Sequence, residues 1–188
     1  MKKISAVLCC ILLTACSWRS PDSSFYVMES SGLQPISGKK TSVSVARVKV
    51  PDMLDRPQII VSDKESTQIQ VLEFERWGET YPDMLQGTIT NDLIAYLPNA
   101  YVKRTYFDGE ETSYSVNVEI NRLQAYRGDK VLLSAWWNIK DGRGNVVIKK
   151  QGAYEAKVHG DDTQDLINAQ AEAVHQMSRD IADGLVNK

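Results

Sequence analysis

Tyr114-Ser115-Val116-Asn117-Val118-Glu119-Ile120-Asn121 decides the fold class. Tyr114, Val116, Val118 and Ile120 alternate with polar residues, the period-2 pattern of a strand that buries one face. Beyond it, Arg127-Gly128-Asp129 turns the chain. Leu133, Ala135, Trp137 and Ile139 then share one face, and Ser134, Trp136 and Asn138 the other. Asp141-Gly142-Arg143-Gly144-Asn145 makes a second turn, after which 146–158 runs back. Strands joined by short turns pair antiparallel, so this stretch reads as a meander.

Toward the N-terminus, Phe25-Tyr26-Val27-Met28 reads as a first strand. Residues 42–50 (SVSVARVKV), rich in β-branched side chains, read as a second that Pro51 ends. Residues 58–62 and 67–73 form a hairpin around Asp63-Lys64-Glu65, and 101–106 form a strand ended by Asp108-Gly109. Two helices are expected. In the first, 80–97, Thr80 can cap, Pro82 sits in the first turn and Pro98 follows the end, with Leu85, Ile89, Leu93 and Leu97 on one stripe. In the second, 162–186, Asp162 can cap and Asp165 suits the positive end. There Ile167, Ala171, Val174, Ser178, Ile181 and Leu185 recur at alternating spacings of four and three. Ala171 and Ser178 are small enough for close approach to a sheet. The expected fold is α+β: a two-layer domain whose mixed, largely antiparallel sheet carries two helices on one face.

The chain begins with Lys2 and Lys3, an apolar run from Ala6 to Leu13, and Leu13-Thr14-Ala15-Cys16. The run is shorter than the ~20 residues a bilayer span needs, and small residues precede the cysteine. This is a lipobox at the end of a signal peptide. The expected division is 1–15 signal peptide, 16–24 lipidated N-terminus and tether, and 25–188 a single periplasmic domain. Cys16 would carry an N-acyl diglyceride, an anchor that several acyl chains make effectively permanent. Ser17, rather than Asp, after the cysteine predicts sorting to the outer membrane, on its periplasmic face. Residues 17–24 (SWRSPDSS) read as a tether reaching at most roughly 29 Å. Trp18 and Arg19 suit either a lipid interface or a solvated linker.

Removing 1–15 leaves about 170 residues, one domain's length. It also takes Cys9 and Cys10, two of the three cysteines, so the folded domain is expected to hold without thiol or disulfide. The formal charge of −2 becomes about −4 when Lys2 and Lys3 leave. With no basic run, nucleic acid is not an expected partner.

Motifs for chemistry are sparse. His159 and His175 are the only histidines, and neither stands at a metal-ligand or carboxylate–histidine spacing. No nucleophile elbow or phosphate loop occurs. Glu73, Glu75, Glu79 and Asp83 near Arg76 read as a solvated loop and helix start. No metal site or catalytic residue is therefore expected, and neither histidine is expected to matter for function. Trp136 sits opposite Trp137 across the pleat, so it is either covered by another element or exposed at a protein interface. Trp77, beside Arg76, divides the same way.

Several segments in order resemble the PqiC (YmbA) family of ABC-type transport auxiliary lipoproteins. They are Phe25-Tyr26-Val27-Met28, Val43-Ser44-Val45-Ala46-Arg47-Val48-Lys49-Val50-Pro51, Leu54-Asp55-Arg56-Pro57-Gln58-Ile59 and Glu73-Phe74-Glu75-Arg76-Trp77-Gly78-Glu79. The resemblance implies an outer-membrane lipoprotein without catalytic residues, assembled as a homo-oligomeric ring. It implies a partner with MCE domains, a PqiB-like hydrophobic conduit across the periplasm, together with a PqiA-like inner-membrane component. The implied cargo is phospholipid or a related hydrophobic molecule, and the implied role is envelope integrity. By the same resemblance Arg56, Arg76 and Trp77 are recurrent positions, read with Trp136 as candidate fold or interface contacts. The alternatives are a plug or chaperone of an outer-membrane β-barrel, as in lipopolysaccharide export, and a periplasmic hydrolase.

Overall fold

The structure, a computed structural model, describes residues 21–36, 38–105 and 112–188. Cys16, Ser17, Trp18, Arg19 and the Asp108-Gly109 turn lie outside them. The elements run β1 (Ser24–Tyr26), β2 (Thr41–Val45), β3 (Gln58–Ser62), β4 (Ile69–Trp77), α1 (Tyr81–Tyr96), β5 (Ala100–Arg104), β6 (Tyr114–Ala125), β7 (Lys130–Asp141), β8 (Val146–Lys157) and α2 (Thr163–Val186).

The meander forms as its alternation requires. β6, β7 and β8 pair antiparallel, with Val116 opposite Ile139, Val118 opposite Trp137 and Leu133 opposite Tyr154. The ladder continues through parallel β2 and β5 into a five-stranded mixed sheet of order β5-β2-β6-β7-β8. Both helices lie on one face, α1 against β5 and β2, α2 against β7 and β8, and they touch each other. This is the α+β two-layer arrangement. The remaining strands make a separate three-stranded sheet of order β1-β4-β3, with β1 parallel and β3 antiparallel to β4.

Three local departures from the sequence reading have physical causes. β2 ends at Val45, not Val50, because the chain spends an extra residue beside β6: Ala46 N bonds Val116 O and Lys49 N bonds Val118 O. That step turns Arg47 toward α1, where its Nε donates to Asp83 Oδ1 at 2.8 Å. β4 runs on to Trp77, so Glu73, Glu75 and Arg76 are strand residues rather than a loop. Neighbours on both sides of β4 satisfy its backbone, which holds charged side chains extended with one face in solvent. In β6, Asn121 is an extra residue in the ladder. The inward set therefore steps from Val116, Val118 and Ile120 to Leu123 and Ala125.

α1 is buried on nearly all sides, including Gln86, Thr88, Thr90 and Asp92. The cause is the chain between β1 and β2, which straps across it: Ser30 Oγ donates to Thr88 O, Ile36 N to Tyr96 O, and Asn99 Nδ2 to Gly38 O. Most of the enclosed polar groups are bonded as burial demands, Asp92 Oδ1 being the exception. Gln86 Nε2 donates to Val45 O at 2.8 Å, and Thr88 and Thr90 bond back to Met84 and Gln86 carbonyls. Thr80 is the N-cap residue by position, but its hydroxyl donates to Asp83 Oδ2 instead of capping a backbone N–H. Asp162 caps α2 as expected, accepting from Asp165 N at 2.7 Å.

α2 is clamped to the meander by one polar chain. Trp137 Nε1 donates to Tyr154 Oη at 3.1 Å, Tyr154 Oη donates to Asp180 Oδ2 at 3.0 Å, and Lys150 Nζ reaches the same oxygen at 2.6 Å. Burial, opposed by the Trp137 bond and helped by Asp180, pushes the Tyr154 phenol up to about 12. The Tyr154 ring lies over Gly152, where a Cβ would overlap it. Gly152→Val is expected to lose about 1–3 kcal/mol in urea unfolding, with the loss of near-ultraviolet dichroism from Tyr154 and Trp137. An unchanged midpoint would mean that the ring has another place to go.

Candidate functional site

The helix-free face of the five-stranded sheet is uncovered around Trp136. Pleat alternation sends Trp137 under α2, where it is 2 % exposed, and Trp136 outward, where it is 41 % exposed. Its cross-strand neighbours are Glu119 on β6 and Gln151 on β8. Around the ring is a hollow of about 510 Å³ lined by Arg47, Lys49, Asn117, Glu119, Asn121, Asn138, Lys140 and Lys149. Lys149 Nζ lies 5.4 Å from the Trp136 ring centroid, a cation–π approach. Asn117 Nδ2 donates to Asn138 Oδ1 across the strands. With the Asn121 amide turned oxygen-inward, Trp136 Nε1 donates to it. An aromatic ring held by its own polar tip and framed by amides and cations is a contact surface of the kind that anchors protein interfaces.

The other sequence candidates fall elsewhere. Trp77 is a core residue: it is 6 % exposed, with its ring centroid 5.1 Å from that of buried Tyr81. β4 carries it inward against the start of α1, so it offers no surface to a partner. Burial raises the Tyr81 phenol far above its usual range. Arg76 is half-buried, with Nε donating to Glu73 O at 3.1 Å, and it stands opposite Gln58. Arg56, two residues before Gln58, is half-buried with its Nε enclosed. Both arginines belong to the three-stranded sheet and its entry turn, a different sheet from Trp136.

His159 is exposed just beyond β8. His175 is the residue that local spacing missed. Its Nδ1 is 2.9 Å from Asp92 Oδ2, joining α2 to α1 across 83 residues of sequence; the Asp92 side chain is 0 % exposed and that of His175 9 %. Burial pulls the His175 imidazole down. The bond and charge of Asp92, the charge of Glu172 and the Glu29 backbone carbonyl outweigh it and raise the pKa above the ordinary 6.5. The expectation concerned function; the pair adds a structural role, because removing His175 strands a buried carboxylate. As chemistry the pair is incomplete: among the described residues no serine or cysteine is bonded to His175, and no cluster of three metal-ligating side chains occurs.

Comparison with known proteins adds two results. The profile of the ABC-type transport auxiliary lipoprotein component matches residues 26–182. The fold is that of an uncharacterized protein whose crystal structure shares 20 % identity and a TM-score of 0.73, covering 88 % of this chain and 99 % of that one. It is also that of protein XCC0632 from Xanthomonas campestris, at 15 % identity and TM-score 0.70, covering 87 % and 95 %. No curated protein matched the sequence.

Proposed function

The chain belongs to the ABC-type transport auxiliary lipoprotein family, and from that premise we propose that it is the non-enzymatic outer-membrane docking subunit of an envelope-spanning lipid transport machine. Membership makes it a transport auxiliary component associated with a membrane. Among the described residues no helix is long and apolar enough to cross one. In this reading Cys16 carries the lipid, Ser17 directs the protein to the outer membrane, and residues 17–24 hold the domain close beneath it. The domain, as a homo-oligomeric ring, receives the outer end of an MCE-domain conduit whose other end meets an integral inner-membrane component. The cargo is phospholipid or a similar hydrophobic molecule.

The observation that carries the docking role is Trp136, 41 % exposed on an uncovered sheet face. An enclosed histidine–carboxylate pair without a bonded nucleophile gives no comparable support to a hydrolase.

The test is affinity purification of the lipidated protein from gently solubilised envelopes, with mass spectrometry and sizing. A large oligomer retaining an MCE-domain protein is expected. A β-barrel partner would replace this reading with an assembly plug, and a lone monomer would remove the docking role. Cys16→Ala is expected to move the protein from the membrane pellet to the soluble periplasmic fraction and to sensitise cells to detergent. A normal barrier with a soluble variant would refute the anchor's importance.

A further inference from the structure

We infer that the surface docking on the Trp136 face is an acidic protein segment. The inference rests on the docking reading above and adds the chemistry of the partner. Several cations of the domain meet carboxylates: Arg47, at the rim of this same hollow, with Asp83, and away from it Lys64 with Asp129, Lys130 with Glu155 and Lys150 with Asp180. On this face, among the described residues, three do not. Lys49, Lys140 and Lys149 frame the hollow, and the one carboxylate among its lining residues, Glu119, makes no ion pair with them. Adjacent residues of β8 make the contrast sharp. Lys150, toward α2, is neutralised at 2.6 Å, whereas Lys149, toward the open face, has only the Trp136 ring.

In a chain of net charge −2, three lysines without a carboxylate partner among the described residues thus surround the exposed tryptophan. Charge complementarity then favours a carboxylate-bearing partner. The shape favours a polypeptide over a lipid surface. Trp136 sits in a hollow, tethered through Nε1 to Asn121 and flanked by Asn117 and Asn138, a concave, amide-lined shape that suits a polypeptide segment. The flanking amides can bond an incoming backbone.

The test places a photoreactive benzoylphenylalanine at Gln151, the exposed neighbour of Trp136, in the full-length lipoprotein within intact envelopes. The cross-linked peptide is sequenced. An Asp- or Glu-containing segment of another protein is expected. Its yield should fall roughly tenfold in the triple variant K49E/K140E/K149E, and should recover when the partner's carboxylates are changed to lysine. For wild type alone, the yield should fall between about 0.05 and 0.5 M salt, which keeps the test independent of the variant's folding. Cross-linking to lipid, to a second copy of this chain, to a segment without carboxylates, or to nothing would overturn the inference, as would indifference to salt and charge reversal. The two readings fail separately. An acidic segment from a protein other than an MCE conduit keeps this inference and removes the proposed partner. A conduit segment without carboxylates does the reverse.

Discussion

His175→Ala is expected to cost about 3–5 kcal/mol of folding stability, the range for removing one member of a buried ion pair. The carboxylate left behind, Asp92, is 0 % exposed, and its Oδ1 already lacks a partner among the described atoms. The loss comes from a stranded charge, so removing the charge as well should repair it. The double variant Asp92→Leu/His175→Leu is expected to recover most of the stability, whereas His159→Ala should change it by less than about 0.5 kcal/mol. The pH dependence has a definite sign. The folded pKa of His175 lies above its unfolded value of 6.5. The pair's contribution is therefore fully present below about pH 6.5 and is lost as pH rises through the folded pKa. The groups setting it are Asp92 from α1, Glu172 from α2 and the Glu29 carbonyl of the strap. Urea unfolding from pH 6 to 9 should show wild type losing stability relative to the double variant. A wild type that gained stability relative to the double variant as pH rises would contradict the assignment.

The second large effect separates neighbours. Trp137→Ala should cost about 3–5 kcal/mol, since it empties a site 2 % exposed and unseats Tyr154 from the chain that reaches Asp180. Trp136→Ala should cost less than about 1 kcal/mol, yet abolish retention of the transport partner. Thermal unfolding and co-purification, run on the same two proteins, give the crossed outcome. If Trp136→Ala unfolds the domain, the exposed ring is structural and the docking role falls. If it unfolds nothing and releases nothing, the contact lies elsewhere.

The meander and both helices were legible because their signals are local. Alternation fixes which residues of 114–120 and 133–139 face inward, and Thr80, Pro82, Pro98 and Asp162 mark helix ends. What stayed hidden depends on neighbours that no window contains. Glu73, Glu75 and Arg76 look like a solvated loop until β1 and β3 flank them. Asn121 resets the alternation by one residue without any turn signal. Gln86, Thr90 and Asp92 look like the outer face of a surface helix, and become inner residues once the strap crosses α1. The Asp92–His175 pair needs two helices to pack before it exists. For Trp136 the pleat named the face, but only the sheet's uncovered side decided between burial and exposure.

In the proposed lipid-anchored arrangement, a pull on the N-terminus reaches β1 first. Only three residues long, β1 lies parallel to β4, and Gly78 N closes on Tyr26 O at its far end. Tension along that strand loads its few cross-links to β4 before it reaches the five-stranded sheet. β1 is thus a mechanical fuse. When it yields, the strap beyond it can pay out only as far as Ser30 and Ile36, which are pinned to α1, giving a few residues of slack at about 3.3–3.6 Å each. In that arrangement one three-residue strand would yield before the much longer ladder of the sheet that carries Trp136.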